Sequence, residues 1–161
     1  MSNREFFIQR WEAEYPLMLK VLRALPADKL GYRPHPRSRS AGELVTHLVY
    51  HEEARIELCE KGELHYNEPA SVVRLDDAIA AYEQHQKALG KRLRQLDEAA
   101  WTKPAKFWIG GQIAMEDTVG GFLWRLLFDD IHHRGQLSTY IRPMDGKVPS
   151  IYGPSADDMG K

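Results

Sequence analysis

Apolar residues recur at helical spacing along four stretches of the chain. These stretches cover about Arg4 to Leu25, Ala41 to Lys61, Leu75 to Leu96 and Thr118 to Arg142. Each holds roughly 20 residues with apolar side chains three or four positions apart, the pattern of an amphipathic helix that buries one face. The pattern therefore predicts an all-α protein built as a four-helix bundle.

Local signals mark the ends of these helices. Ser40 is followed three residues later by Glu43, the spacing of a capping box, and Gly62 is placed to end the same helix. Pro26 and Pro143 stop the first and last helices because proline cannot continue the hydrogen-bond ladder. The connections are longer than a minimal bundle needs, so crossovers are possible.

Residues 98–117 do not follow the helical pattern. Lys106–Ile109 and Gln112–Met115 flank Gly110-Gly111, which predicts a short hairpin or extended loop between the third and fourth helices. From about residue 143 the chain is rich in glycine, proline and aspartate, so we expect an irregular tail.

The composition excludes several classes of protein. Of 161 residues, 43% are hydrophobic and the net charge is −1, so no positive surplus indicates binding to nucleic acid or an anionic membrane. No apolar run approaches the roughly 20 residues that span a bilayer, and the N-terminus lacks an apolar signal core. We expect a single cytoplasmic domain over residues 1–161. Its one cysteine, Cys59, excludes a multi-cysteine zinc site.

The last helix carries charged residues in the segment LLFDDIHHRGQLSTYI, residues 126–141. At about 100° per residue, Asp129 and His133 share a direction with apolar and aromatic residues and are predicted to face the interior. A carboxylate there needs a partner charge, a hydrogen bond or a metal. Asp130 and His132 point about 60° and 100° away from His133 and are predicted to be flank or surface residues.

The second helix repeats this anomaly. His47 and His51 lie one turn apart on a stripe otherwise formed by Leu44, Ala54 and Leu58. Each histidine could be an ordinary hydrogen-bonded core residue, and the Asp–His pair a local ion pair. Polar residues that can bind a metal thus interrupt the apolar faces of both the second and the last helix, and this coincidence favours a metal site. One histidine from this helix with the last-helix pair gives three ligands and leaves coordination positions open, as in catalytic sites.

Two segments carry a family resemblance. IHHRGQLSTYIRPMDGKVPSIYGPSADD at 131–158 and SAGELVTHLVYHE at 40–52 resemble the last-helix and second-helix segments of the DinB/YfiT-like superfamily. The resemblance implies a divalent metal ion held by three histidines, which map here onto His47, Asp129 and His133. The aspartate at the middle position leaves zinc, nickel, iron and manganese all open. His51, one turn beyond the family position, is a reserve ligand or supporting residue.

The resemblance also implies a range of functions. Characterised relatives include thiol-dependent transferases and isomerases, so we expect a metal-dependent enzyme that activates a low-molecular-weight thiol or water toward a small electrophilic substrate, working as a homodimer. The alternatives are hydrolysis, a non-catalytic dimerising stress-response protein, and a nonhaem iron oxygenase. No catalytic side chain is assigned. Trp108 beside Gly110-Gly111 is a candidate for lining a pocket.

Overall fold

Helices make up most of the fold. The structure, a computed structural model, describes residues 1–67, 70–71 and 74–160. In this part of the chain the α-helices are α1 (Asn3–Ala24), α2 (Ala41–Lys61), α3 (Leu75–Gln95), α4 (Glu98–Thr102) and α5 (Val119–Ile141). The strands are β1 (Glu63–His65), β2 (Pro104–Ile109) and β3 (Gln112–Thr118). The ends of the four long helices agree with the predicted stretches to within one residue.

The ends of α2 follow the sequence signals. The Ser40 hydroxyl accepts a hydrogen bond from the Glu43 backbone, and the Glu43 carboxylate accepts one from the Ser40 backbone at 2.6 Å. These bonds satisfy amide groups that have no partner within the helix. Gly62 ends the helix in the left-handed conformation with φ 73°, which a residue with a side chain rarely adopts. The chain therefore turns directly from α2 into β1.

A three-stranded sheet corrects the all-α prediction. The hairpin was expected: β2 and β3 pair antiparallel around Gly110-Gly111, whose φ angles are 57° and 79°. The third strand was not expected. β1 pairs parallel with β2, and the Tyr66 amide donates to the Trp108 carbonyl at 3.0 Å. The short helix α4 was also missed. The protein is thus mostly helical, but it is not strictly a four-helix bundle.

A polar layer crosses the interior of the molecule. Two apolar clusters form the core, one containing Leu22, Leu48 and Leu137 and the other Phe7, Leu58 and Leu123. The long helices also bury polar side chains: His51, Glu52 and Arg55 of α2, Gln86 of α3, and Asp130 and Arg134 of α5. Buried polar groups are costly unless paired, and ion pairs satisfy part of this set, but Glu52 Oε2, Arg55 Nε and Gln86 Oε1 have no hydrogen-bond partner among the described residues.

The described residues of the tail, 143–160, contain no helix or strand, as expected. They nevertheless pack on the helices. The buried Arg134 guanidinium donates to the Glu14 carboxylate of α1 at 2.6 Å and to the Tyr152 hydroxyl of the tail at 2.5 Å. Arg134 therefore ties three parts of the chain together. Within the described residues, no helix combines the length and apolar character required to cross a membrane.

Candidate metal centre

Three histidines surround one carboxylate oxygen where α2 and α5 face each other. Asp129 Oδ2 lies 3.3 Å from His133 Nε2, 3.5 Å from His47 Nε2 and 3.7 Å from His51 Nε2. The His47 ring centroid lies 4.1 Å from that of His51 and 4.7 Å from that of His133. The structure thus places His47, Asp129 and His133 together with His51, the reserve ligand of the sequence analysis.

The other nitrogens of two of these rings already have partners. His51 Nδ1 lies 2.7 Å from Asp130 Oδ1, and His133 Nδ1 lies 2.7 Å from Gln136 Oε1. A carboxylate and an amide oxygen accept hydrogen bonds, so each Nδ1 is the donor and the neutral ring presents a lone pair at Nε2. Those lone pairs face the Asp129 carboxylate, so a proton or a metal cation must lie between them. Burial alone would lower the pKa of His133, but its bonds to Asp129 and Gln136 outweigh burial and raise that pKa, so the protonated ring is the form that donates to Asp129.

This donor set fits a divalent metal ion. The donor atoms of His47, His51 and Asp129 all lie within 4.8 Å of one another, close enough for one ion to bind all three. Imidazole nitrogen and carboxylate oxygen are ligands of zinc, iron, nickel and manganese. The second hydrogen bond made by His51 is the kind that orients a metal-binding imidazole. Of the ligands predicted from the sequence, His47 and Asp129 belong to this group together with His51; His133 contacts Asp129 at 3.3 Å but is not a member of the group.

Electrostatics favour an ionised Asp129 at this position. Hydrogen bonding from His133 and His47 holds the pKa of Asp129 far below its usual value, against a smaller opposing effect of burial. Burial lowers the pKa of His51, although its bond to Asp130 works in the other direction. At neutral pH the site therefore offers a carboxylate and a neutral His51 ring, both in the form that binds a cation.

Asp130 contradicts the sequence interpretation. It was expected at the flank or surface, yet its side chain is only 6% exposed, against 43% for Asp129. Its Oδ2 accepts a hydrogen bond from the fully buried Arg55, whose other end lies 2.5 Å from Glu52. Burial alone would raise the pKa of Asp130, but Arg55 and His51 outweigh it and lower that pKa. Burial also raises the pKa of Glu52 to about 7.

The exposure of Asp130 was predicted wrongly because the sequence analysis took the wrong side of α5 as the centre of its buried face. The residues at the centre of its buried face include Leu123, Leu127 and Leu137, and Asp130 lies on the same line. Asp129 and His133 lie beside this face rather than at its middle. Apolar residues occur on several sides of α5, so the sequence pattern did not fix which side is buried. His132 is exposed, as expected.

The metal centre opens into a cavity of about 750 Å³. His47, His51 and Asp129 form part of its wall, and the rest comes from α2, α5 and the sheet. The other lining residues are mostly aromatic or apolar: Tyr50, Ala54, Leu64, Tyr66, Phe107, Trp124, Leu126 and Phe128. The expectation for Trp108 was wrong. Its neighbour Phe107 lines the cavity, while Trp108 stacks on His65 with an interplanar angle of 6°.

Comparison with known proteins identifies the family. The sequence profile of the DinB superfamily matches residues 10–137. The chain belongs to the DinB superfamily. The segments quoted above at 40–52 and at the start of 131–158 fall within the matched region. A search of curated proteins finds no significant match to this DinB protein.

Solved structures show the same fold. A DinB-like protein from Bacillus cereus ATCC 10987 superposes with a TM-score of 0.75 at 22% identity, covering 92% of this chain and 97% of that one. A DinB-like protein from Bacillus subtilis gives 0.68 at 19% identity, with 86% and 92% covered. A mycothiol-dependent maleylpyruvate isomerase gives 0.55 at 13% identity, with 89% and 61% covered. At these identities the similarity establishes the fold.

Proposed function

We propose that this protein is a metal-dependent enzyme that activates a thiol or water for transfer to a small electrophilic substrate. One observation carries the proposal: the imidazole Nε2 atoms of His47, His51 and His133 converge on one oxygen of Asp129. Three of these residues, His47, His51 and Asp129, lie in the wall of a cavity large enough for a small molecule.

The proposed ligands are His47, Asp129 and His133, with His51 as a fourth donor. His47 and His51 come from consecutive turns of α2, and Asp129 and His133 from consecutive turns of α5, so two rigid helices hold the set. A divalent ion bound here would supply the Lewis acidity that lowers the pKa of a thiol or water at neutral pH. Zinc, nickel, iron and manganese all match these donors.

The remaining residues would bind and orient the substrate. Asp129 balances part of the positive charge at the centre, and its second oxygen can accept a hydrogen bond from the incoming nucleophile. The aromatic walls exclude water from one side of the substrate and hold its apolar part. An open cavity beside the donors favours catalysis over a purely structural metal site, in which protein ligands fill the coordination.

A thiol is favoured over water by one further observation. The same fold occurs in a protein described as a mycothiol-dependent isomerase, so this architecture can serve a thiol-dependent reaction. Cys59 is not the thiol in question, because burial raises its pKa to about 12 and it lies outside the lining of the cavity. The proposed thiol is therefore a diffusible small molecule.

Metal analysis of tag-free protein tests the first step. We expect about one divalent ion per chain, lost on changing Asp129→Ala or His133→Ala. His35→Ala is the control, because this exposed histidine lies outside the lining of the cavity and should keep the metal. Unchanged metal content in both ligand variants would refute the ligand set. Thiol consumption with a panel of electrophiles, measured against ester and amide cleavage, then separates thiol transfer from hydrolysis.

A further inference from the structure

Arg125 is an unpaired cation in the wall of the cavity. It lies on α5 one turn before Asp129, and both residues line the same space. Among the described residues, no carboxylate lies within ion-pair distance of its guanidinium. Two other exposed arginines are paired: Arg92 with Glu60 at 2.6 Å and Arg94 with Glu12 at 2.9 Å. Arg125 is thus left available to a bound molecule.

Charge in the cavity is unevenly distributed. Of the described residues that line it, Asp129 is the sole carboxylate and Arg125 the sole arginine or lysine; the remaining titratable groups among them are histidines and tyrosines. The proposed metal ion would neutralise the negative charge of Asp129. Arg125 is exposed to solvent and would then be the one cationic side chain left without a counter-charge among the described lining residues; a guanidinium in this position can bind a carboxylate in a bidentate manner.

The apolar walls are already held in place. Trp124 stacks on Phe128 with ring centroids 5.6 Å apart and donates a hydrogen bond to Asn3 at 3.0 Å. Tyr50 contacts the Tyr66 ring edge-on and donates its hydroxyl hydrogen to the His65 carbonyl. Fixed aromatic surfaces of this kind favour a flat ligand, since stacking needs no reorganisation of the walls.

We propose that the cavity selects a small aromatic or otherwise flat molecule bearing a carboxylate, with Arg125 binding the carboxylate. This inference rests on the proposed function in one respect: the end of the ligand that reacts is the end that faces the proposed metal. Arg125 and Asp129 are separated by one helical turn, or about 6 Å along the axis. A carboxylate bound at Arg125 places the far side of a ring system toward the metal donors. The reacting group and the anion therefore lie at opposite ends of the ligand.

Binding of 2-naphthoate and its neutral counterpart 2-naphthamide tests this inference. Both probes present the same rings, so only the charge of the substituent differs. We expect the protein to bind naphthoate about tenfold more tightly, the size of one charge-assisted hydrogen-bond contact in a partly open site. Arg125→Gln should remove this preference and leave naphthamide affinity unchanged. Arg10→Gln, which alters an exposed arginine outside the cavity lining, should keep it.

The titrations are run by calorimetry on protein as purified and after EDTA treatment, with folding checked by circular dichroism. A preference for naphthoate that survives in Arg125→Gln would assign carboxylate recognition to another group and overturn the inference. Equal affinities for both probes, or no naphthoate binding to either form, would overturn it too. Because the EDTA-treated protein is tested separately, absence of metal would refute the proposed function without affecting this result.

Discussion

Replacing Asp130 by asparagine separates the roles of two adjacent aspartates. Asp129→Asn should abolish metal binding with little effect on folding, whereas Asp130→Asn should mainly destabilise the fold. The reason is burial. The side chain of Asp129 is 43% exposed and faces the cavity, while Asp130 is 6% exposed and balances the charge of the wholly buried Arg55.

The magnitude follows from what Arg55 would lose. Removing one partner of a buried ion pair costs about 3 to 5 kcal/mol, because the remaining charge is left uncompensated. Here Glu52 stays 2.5 Å from the guanidinium, and loss of the Asp130 charge makes ionisation of Glu52 easier. We therefore expect the lower end, about 3 kcal/mol, or a fall in Tm on the order of 10 °C for a chain of this size. Asp129→Asn should stay within about 1 kcal/mol.

Urea unfolding followed by circular dichroism measures both values. The proteins are treated with EDTA so that metal binding does not contribute to the free energy of unfolding. A double variant, Asp130→Asn with Arg55→Met, should recover part of the lost stability because it removes the uncompensated charge. The reasoning fails if Asp130→Asn costs less than about 1 kcal/mol, or if Asp129→Asn is equally destabilising.

Three further predictions concern packing, reactivity and metal binding. A Cβ on Gly120 would lie 2.2 Å from the Trp101 ring, so Gly120→Ala should cost about 1 to 3 kcal/mol in urea unfolding, whereas Gly135→Ala, with open space, should be neutral or stabilising. The raised pKa of Cys59, about 12 against a usual 9.0, should slow its labelling by Ellman's reagent at pH 8 by about a thousandfold relative to the unfolded chain; fast labelling would contradict the described burial. Zinc added to EDTA-treated protein should raise Tm in calorimetry, and His47→Ala should reduce the increase sharply.

The long helices could be predicted because their signals are local. Periodicity and the Ser40–Glu43 capping box place α2 without reference to the rest of the chain. β1 could not be predicted in the same way. A strand of three residues has almost no pattern of its own, and its hydrogen bonds come from β2, which lies about 40 residues further on. The sheet therefore depends on a long-range pairing that periodicity does not reveal.

The sequence indicated the residues of the candidate metal centre but not their surroundings. His47, Asp129 and His133 stood out as polar interruptions of apolar stripes. The support behind His51 did not, since Arg55, Glu52 and Asp130 look like ordinary charged residues of solvated helix faces. Glu52 and Arg55 pair within α2, but the ion pair between Arg55 and Asp130 joins α2 to α5, and only the packing of the two helices brings those two residues together. The spacing of His51 and Arg55, one turn apart, was the available signal.

The chain passes directly from α2 through Gly62 into β1, so the helices that carry the metal donors are separate from the strands that form part of the cavity wall. The metal donors lie on two long helices, whereas part of the cavity wall consists of Leu64, His65 and Tyr66 at the end of α2 and Phe107 beside them. Substitutions in these short strands can reshape the cavity without moving a donor atom. In evolutionary terms, related chains could change substrate through a few strand positions and retain one metal chemistry.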